Sequence, residues 1–160
     1  KINLSLTMLL SNIRNLKLNP GARLLGLDVG SKTIGVAISD KNHQMATPII
    51  LIQRKNLNED INSLKMVIDR RNVGGIVIGY PLNMDGTEGR MCQSIRQFAS
   101  NIDKSFNLPI LFWDERMSTI AVNKQLISLD ISRNKRKKIV DKEAAAFILQ
   151  GAIDHLNQLL

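Results

Sequence analysis

The chain has 160 residues, 44% hydrophobic and 22% charged, a globular composition with room for one sizeable core and too short for two ordinary domains. Lys and Arg number 22 against 14 Asp and Glu, a formal net charge of +8 that favours a polyanionic partner, either nucleic acid or an anionic membrane surface. A single cysteine and two histidines exclude an internal disulfide and a zinc-finger framework, and no apolar run approaches the roughly 18 residues of a membrane span.

Residues 1–18 are rich in Leu, Ile and Met, but Ser5, Thr7, Ser11, Asn12 and Arg14 interrupt the apolar centre that a secretory signal would need. They read as a short amphipathic helix ended by Asn19-Pro20-Gly21, an extension (1–22) to a single domain at 23–160. The chain begins with Lys rather than Met, as a trimmed or partial N-terminus would. RLLGLDV (23–29) and TIGVAIS (33–39) are β-rich runs around Gly30-Ser31-Lys32, a predicted hairpin. Residues 45–53 supply a third strand, with Pro48 marking an edge or an irregularity. Leu57, Ile61, Leu64 and Ile68 then fall at helical spacing.

GIVIG (75–79) is an uncharged strand of the kind covered on both faces. A polar loop (80–89) follows, then a helix with Met91, Ile95, Phe98, Ala99 and Ile102 on one face; Cys92 reads as a half-buried small residue rather than a nucleophile. PILFW (109–113) is another buried-type strand, ending in Asp114-Glu115-Arg116, and residues 118–128 look helical. Five of the six residues 133–138 are basic, read as a phosphate-binding loop, and the last helix is expected from Val140. Three strands followed by alternating helix and strand imply an α/β fold, an antiparallel meander joined to parallel βαβ units.

The chemistry points to acids at element ends. Asp28 comes late in the predicted central strand, where an isolated carboxylate costs several kcal/mol unless it is paired or binds a cation. Asp114 and Glu115 close a second strand, and since strand residues alternate faces, only one of them can share a face with Asp28. Asp141 is expected at or just inside the start of the last helix, where a capping charge is the simpler reading, as a salt bridge to Arg116 is for Asp114. If three carboxylates meet at the ends of parallel strands, they repel one another unless cations neutralise them, and all-oxygen ligands suit Mg²⁺ or Mn²⁺. Two such ions about 3.5–4 Å apart suit in-line attack on a phosphodiester.

LLGLDVGSKTIGVAISD (24–40), IVIGYPLNMDGTEG (76–89), WDERMST (113–119) and VDKEAAAFILQ (140–150) together resemble the YqgF, or RuvX, family of the ribonuclease H-like superfamily. Its members are proposed pre-16S ribosomal RNA nucleases and were earlier proposed as Holliday junction resolvases. The resemblance implies a five-stranded mixed sheet flanked by helices in one bacterial cytoplasmic domain. Carried over by motif, the family's metal-binding and catalytic acids fall on Asp28, Glu115 and Asp141, with Asp114 in reserve, and Ser31 stands where Thr is commoner. The expected activity is metal-dependent phosphodiester hydrolysis, most naturally of precursor rRNA, by a monomer or homodimer.

Ser31, Lys32, Asn83, Arg116 and the cluster Arg133, Lys135, Arg136, Lys137 and Lys138 are candidates for contacting nucleic acid. With aromatics at only 4%, recognition by backbone shape is favoured over base stacking. The alternatives are a junction-cleaving DNase and a non-catalytic RNA-binding assembly factor. An ATPase of the actin and sugar-kinase type shares the Asp-x-Gly-Ser turn but needs a second domain.

Overall fold

In the computed structural model, which describes residues 19–116 and 143–158 and the backbone of 133–142, the three early β-rich runs form the expected meander. Strand β1 (Arg23–Val29) pairs antiparallel with β2 (Thr33–Ser39), and β2 pairs antiparallel with β3 (Ala46–Gln53). The β2–β3 register slips between Val36 and Ala37, where Val36 faces Ile50 and Ala37 faces Pro48. Pro48 has no amide hydrogen to give to a ladder, and β3 is the outermost strand, so the irregularity falls where it costs least.

Helix α1 (Leu57–Arg71) starts at Asn56, whose side chain accepts from the Glu59 amide, and ends at Asn72 in the left-handed region. It leads into β4 (Val73–Tyr80), which lies parallel to β1. Helix α2 (Arg90–Phe106) then returns the chain to β5 (Ile110–Asp114), parallel to β4. The sheet order β3-β2-β1-β4-β5 makes β1 the central strand, as expected from sequence.

One sheet face carries large apolar side chains, among them Leu25, Leu27, Ile34, Ile76, Ile78 and Phe112, packed against Leu64, Ile68, Ile95, Phe98 and Ile102 of α1 and α2. The α2 face is rotated from the expected one: Met91 is 39% exposed and Cys92 is wholly buried, three residues before Ile95. The opposite face, where Gly26, Gly35, Ala37 and Gly79 alternate with larger residues such as Leu24, Val77 and Leu111, receives α3 (Arg133–Gln158) through Ala145, Ile148, Leu149, Ala152 and Ile153. The backbone approach is close enough that a Cβ added to Gly26 would lie 2.6 Å from Leu149 Cβ.

Helix α3 corrects two expectations. It begins at Arg133, so the basic run 133–138 is helical rather than a loop, and Asp141 lies more than two turns inside the helix rather than at its start. Lys and Arg are good helix formers, and their charge alone did not signal a loop. The helices expected at 1–18 and 118–128 lie outside the described residues. Among the described residues no helix is long and apolar enough to cross a membrane.

Candidate active site

Strand alternation separates the acids. On β1, Leu24, Gly26 and Asp28 point to the α3 side of the sheet, and Leu24 joins the core beneath that helix. On β5, Leu111 and Trp113 point the same way, and Glu115, the next position in that series, follows them. Its carboxylate lies over Gly79 of β4, where an added Cβ would collide with Glu115 Oε1 and come within 2.5 Å of Ile148 Cδ1. Gly79 therefore leaves the space that the Glu115 carboxylate occupies.

The result is two neighbouring acids in opposite environments. Burial, the nearby Asp28 and then Asp114 push the Glu115 carboxyl up from 4.5 to about 7. Asp114 is on the other face. Partial burial would raise its carboxyl, but Arg116 outweighs this by charge and hydrogen bonding and holds it below the usual carboxylate range. Arg116 Nη2 and Nε donate to Asp114 Oδ2 at 2.6 and 2.9 Å, and the Arg116 amide donates to Oδ1 at 3.0 Å. The choice between Asp114 and Glu115 as the partner of Asp28 thus falls on Glu115.

Helix α3 runs antiparallel to β1. Leu149 lies against Gly26, while Ala145 lies 3.5 Å from a Cβ built on Gly35, the residue paired with Asp28. Asp141 is one turn before Ala145 in the same helical register, toward the carboxyl ends of β1 and β4. Its side chain, like those of Arg133, Lys135, Arg136, Lys137 and Lys138, lies outside the described residues. Among the described residues no group of three His, Cys, Asp or Glu side chains could hold a metal ion. Asp28 and Glu115 supply two oxygen-donor groups, and hard divalent cations fit that donor set.

The remaining candidates lie around this pair. Ser31 and Lys32 are exposed on the β1–β2 turn, three and four residues beyond Asp28. Asn83 belongs to a small closed loop, in which its backbone amide donates to Thr87 O at 2.8 Å and its side-chain Nδ2 donates to Thr87 Oγ1 at 3.0 Å. Arg116 Nη1 donates to Met84 O at 3.2 Å, tying this loop to the end of β5. Sequence reasoning missed Arg54 and Asp60, which brace the β1–β2 turn. The available signal was Asp60 itself, a charge four residues before Leu64 and eight before Ile68, on the buried stripe of α1.

A family model described as RuvX, Holliday junction resolvase, matches residues 22–155. A curated protein of Pelagibacter ubique is 52% identical over 135 residues, 84% of this chain and 89% of that protein. One of Ruegeria pomeroyi is 48% identical over 142 residues, 89% of this chain and 92% of that protein. Both are named "Putative pre-16S rRNA nuclease". In fold the chain is similar to T. thermophilus RuvC solved with a Holliday junction substrate, with a TM-score of 0.55 and 8% identity over 85% of this chain and 96% of that one. The chain belongs to the RuvX family and has the RuvC-like ribonuclease H fold.

Proposed function

We propose that this protein is a divalent-metal-dependent nuclease that trims the 5′ end of precursor 16S rRNA. The observation that carries the reading is the pairing of Asp28 with Glu115: two acids far apart in the chain share one sheet face, close enough that one raises the proton affinity of the other. An acid pair that a fold brings together at this cost, beside parallel strand ends, fits a cation site better than a stabilising contact. The relatives' printed names and the match over most of the chain support the substrate class.

Asp28 and Glu115, with Asp141 from α3, would hold Mg²⁺ or Mn²⁺. When bound, the metal supplies an activated water nucleophile and charge stabilisation for the leaving oxygen. The protein's own part is to hold the partly buried carboxylates in place. Gly79 makes room for Glu115, and Gly35 sets Asp28 beside Ala145. The Asp114–Arg116 pair engages the neighbouring carboxylate on the opposite face, which leaves Glu115 as the acid that shares a face with Asp28. The basic start of α3, with Lys32, would draw the phosphate backbone toward the acids.

The substrate is tested by incubating the protein with a 5′-extended 16S rRNA fragment and, separately, a four-way DNA junction, each with Mg²⁺ or Mn²⁺. The proposal expects metal-dependent shortening of the RNA. Cleavage of the junction alone would transfer the assignment to the resolvase reading, which the fold likeness to a junction-bound RuvC favours. Binding to RNA with no cleavage of either would leave an assembly factor.

A further inference from the structure

The turn after Asp28 is gripped from outside the four motifs. Gly30 donates its amide to Thr33 O at 2.9 Å, and its carbonyl accepts from Arg54 Nη1 at 2.7 Å. The Arg54 amide donates to Lys32 O at 2.9 Å, so one residue holds the turn on both sides of Ser31. The guanidinium is itself anchored. Its Nε donates to Asp60 Oδ2 at 3.2 Å, and its Cζ lies 5.2 Å from the centre of the Phe98 ring. Asp60 is only 2% exposed and also accepts from the Lys55 amide at 3.2 Å. Arg54 thereby links the turn to α1 through Asp60 and to α2 through Phe98.

A buried ion pair is poor evidence of stabilisation, because desolvating both charges offsets their attraction and apolar residues of similar volume often serve as well. What apolar residues cannot provide is a directed N–H donor at Gly30 O. Lysine cannot replace the planar fork either: a single ammonium cannot at once reach the Gly30 carbonyl, pair with Asp60 and lie over Phe98.

We propose that Arg54 is a positioning residue for the proposed cation site: by fixing the Gly30–Lys32 turn, it sets the approach of Asp28 and presents Ser31 and Lys32 to the nucleic acid backbone. The inference rests on the nuclease reading.

The test compares wild type with Arg54→Lys and the double variant Arg54→Met/Asp60→Leu, measuring Tm, kcat and KM separately, and hydrogen exchange of the Gly30 amide. The double variant removes both charges, so it folds with a Tm near wild type. The expectation is a fall in kcat of about 10- to 100-fold with a smaller rise in KM, and faster Gly30 exchange, in both variants. Should the double variant fail to fold, Arg54→Lys, which keeps the charge opposite Asp60, carries the same expectation. Wild-type kcat in either folded variant would overturn the proposal, as would a Gly30 amide that exchanges at the wild-type rate. If wild type cleaves nothing, the nuclease reading fails, while the Gly30 exchange still reports whether Arg54 holds the turn.

Discussion

Replacing Glu115 with Gln should stabilise the metal-free protein, and only in one pH range. The Glu115 carboxyl is pushed from 4.5 to about 7 by burial first and by Asp28 and Asp114 after it. Between those values the folded protein holds a proton that the unfolded chain has released. Stability from this group is therefore intact below about pH 4.5 and is lost as pH rises, levelling off above about 7. At 1.36 kcal/mol per pH unit, the shift amounts to at most about 3 kcal/mol, or roughly 10 °C in Tm for a chain of this size. Gln keeps the shape and cannot ionise. In EDTA, urea or thermal unfolding at pH 5, 6, 7 and 8 should show the variant gaining on wild type as pH rises. Titrating groups far from Glu115 are common to both proteins and cancel in the difference, while Asp28 and Asp114 lose a like-charged neighbour in the variant, which adds to its gain at high pH. Parallel pH profiles would refute the claim that Glu115 is a buried acid facing another negative charge.

Mg²⁺ should stabilise wild type at pH 8 by about 2.7 kcal/mol at 100 times its dissociation constant, read as a rise in Tm, and Asp28→Asn should lose most of that gain; equal gains would place the ion elsewhere. Gly79→Ala, which puts a methyl group into the Glu115 carboxylate and against Ile148, should cost about 1–3 kcal/mol and cut cleavage, read by urea unfolding and a rate assay. Changing Lys135, Arg136 and Lys137 together to Ala should weaken RNA binding and flatten the plot of log affinity against log salt by about 2, as measured by filter binding; an unchanged slope would assign the run to a solvated helix face.

Much of this site was legible in the sequence because strand period and burial chemistry are local. The β1 and β2 runs match the observed strands residue for residue, and a carboxylate near the end of the central strand already marked Asp28. Sequence left Asp114 and Glu115 undecided because alternation says that they differ without saying which face α3 covers. The glycines supply the missing fact: Gly26, Gly35 and Gly79 lie on the α3 face, and a helix can approach a sheet closely only where side chains are absent. The start of α3 was misplaced because five cations in six residues resemble a phosphate-binding loop, though each favours helix. Arg54 and Asp60 were passed over because their partner is a backbone carbonyl on a distant turn, and nothing in local spacing reveals such a contact.

The account stands on one cation site shared by β1, the end of β5 and α3. Titrating ¹⁵N-labelled protein with substoichiometric Mn²⁺ tests it directly, because a paramagnetic ion broadens amide signals by proximity alone. The account predicts that the amides of Asp28, Gly79, Glu115 and Asp141 broaden first and together, and that Asp28→Asn abolishes the effect at all four. Broadening at Asp28 without Glu115, or at neither, would contradict it.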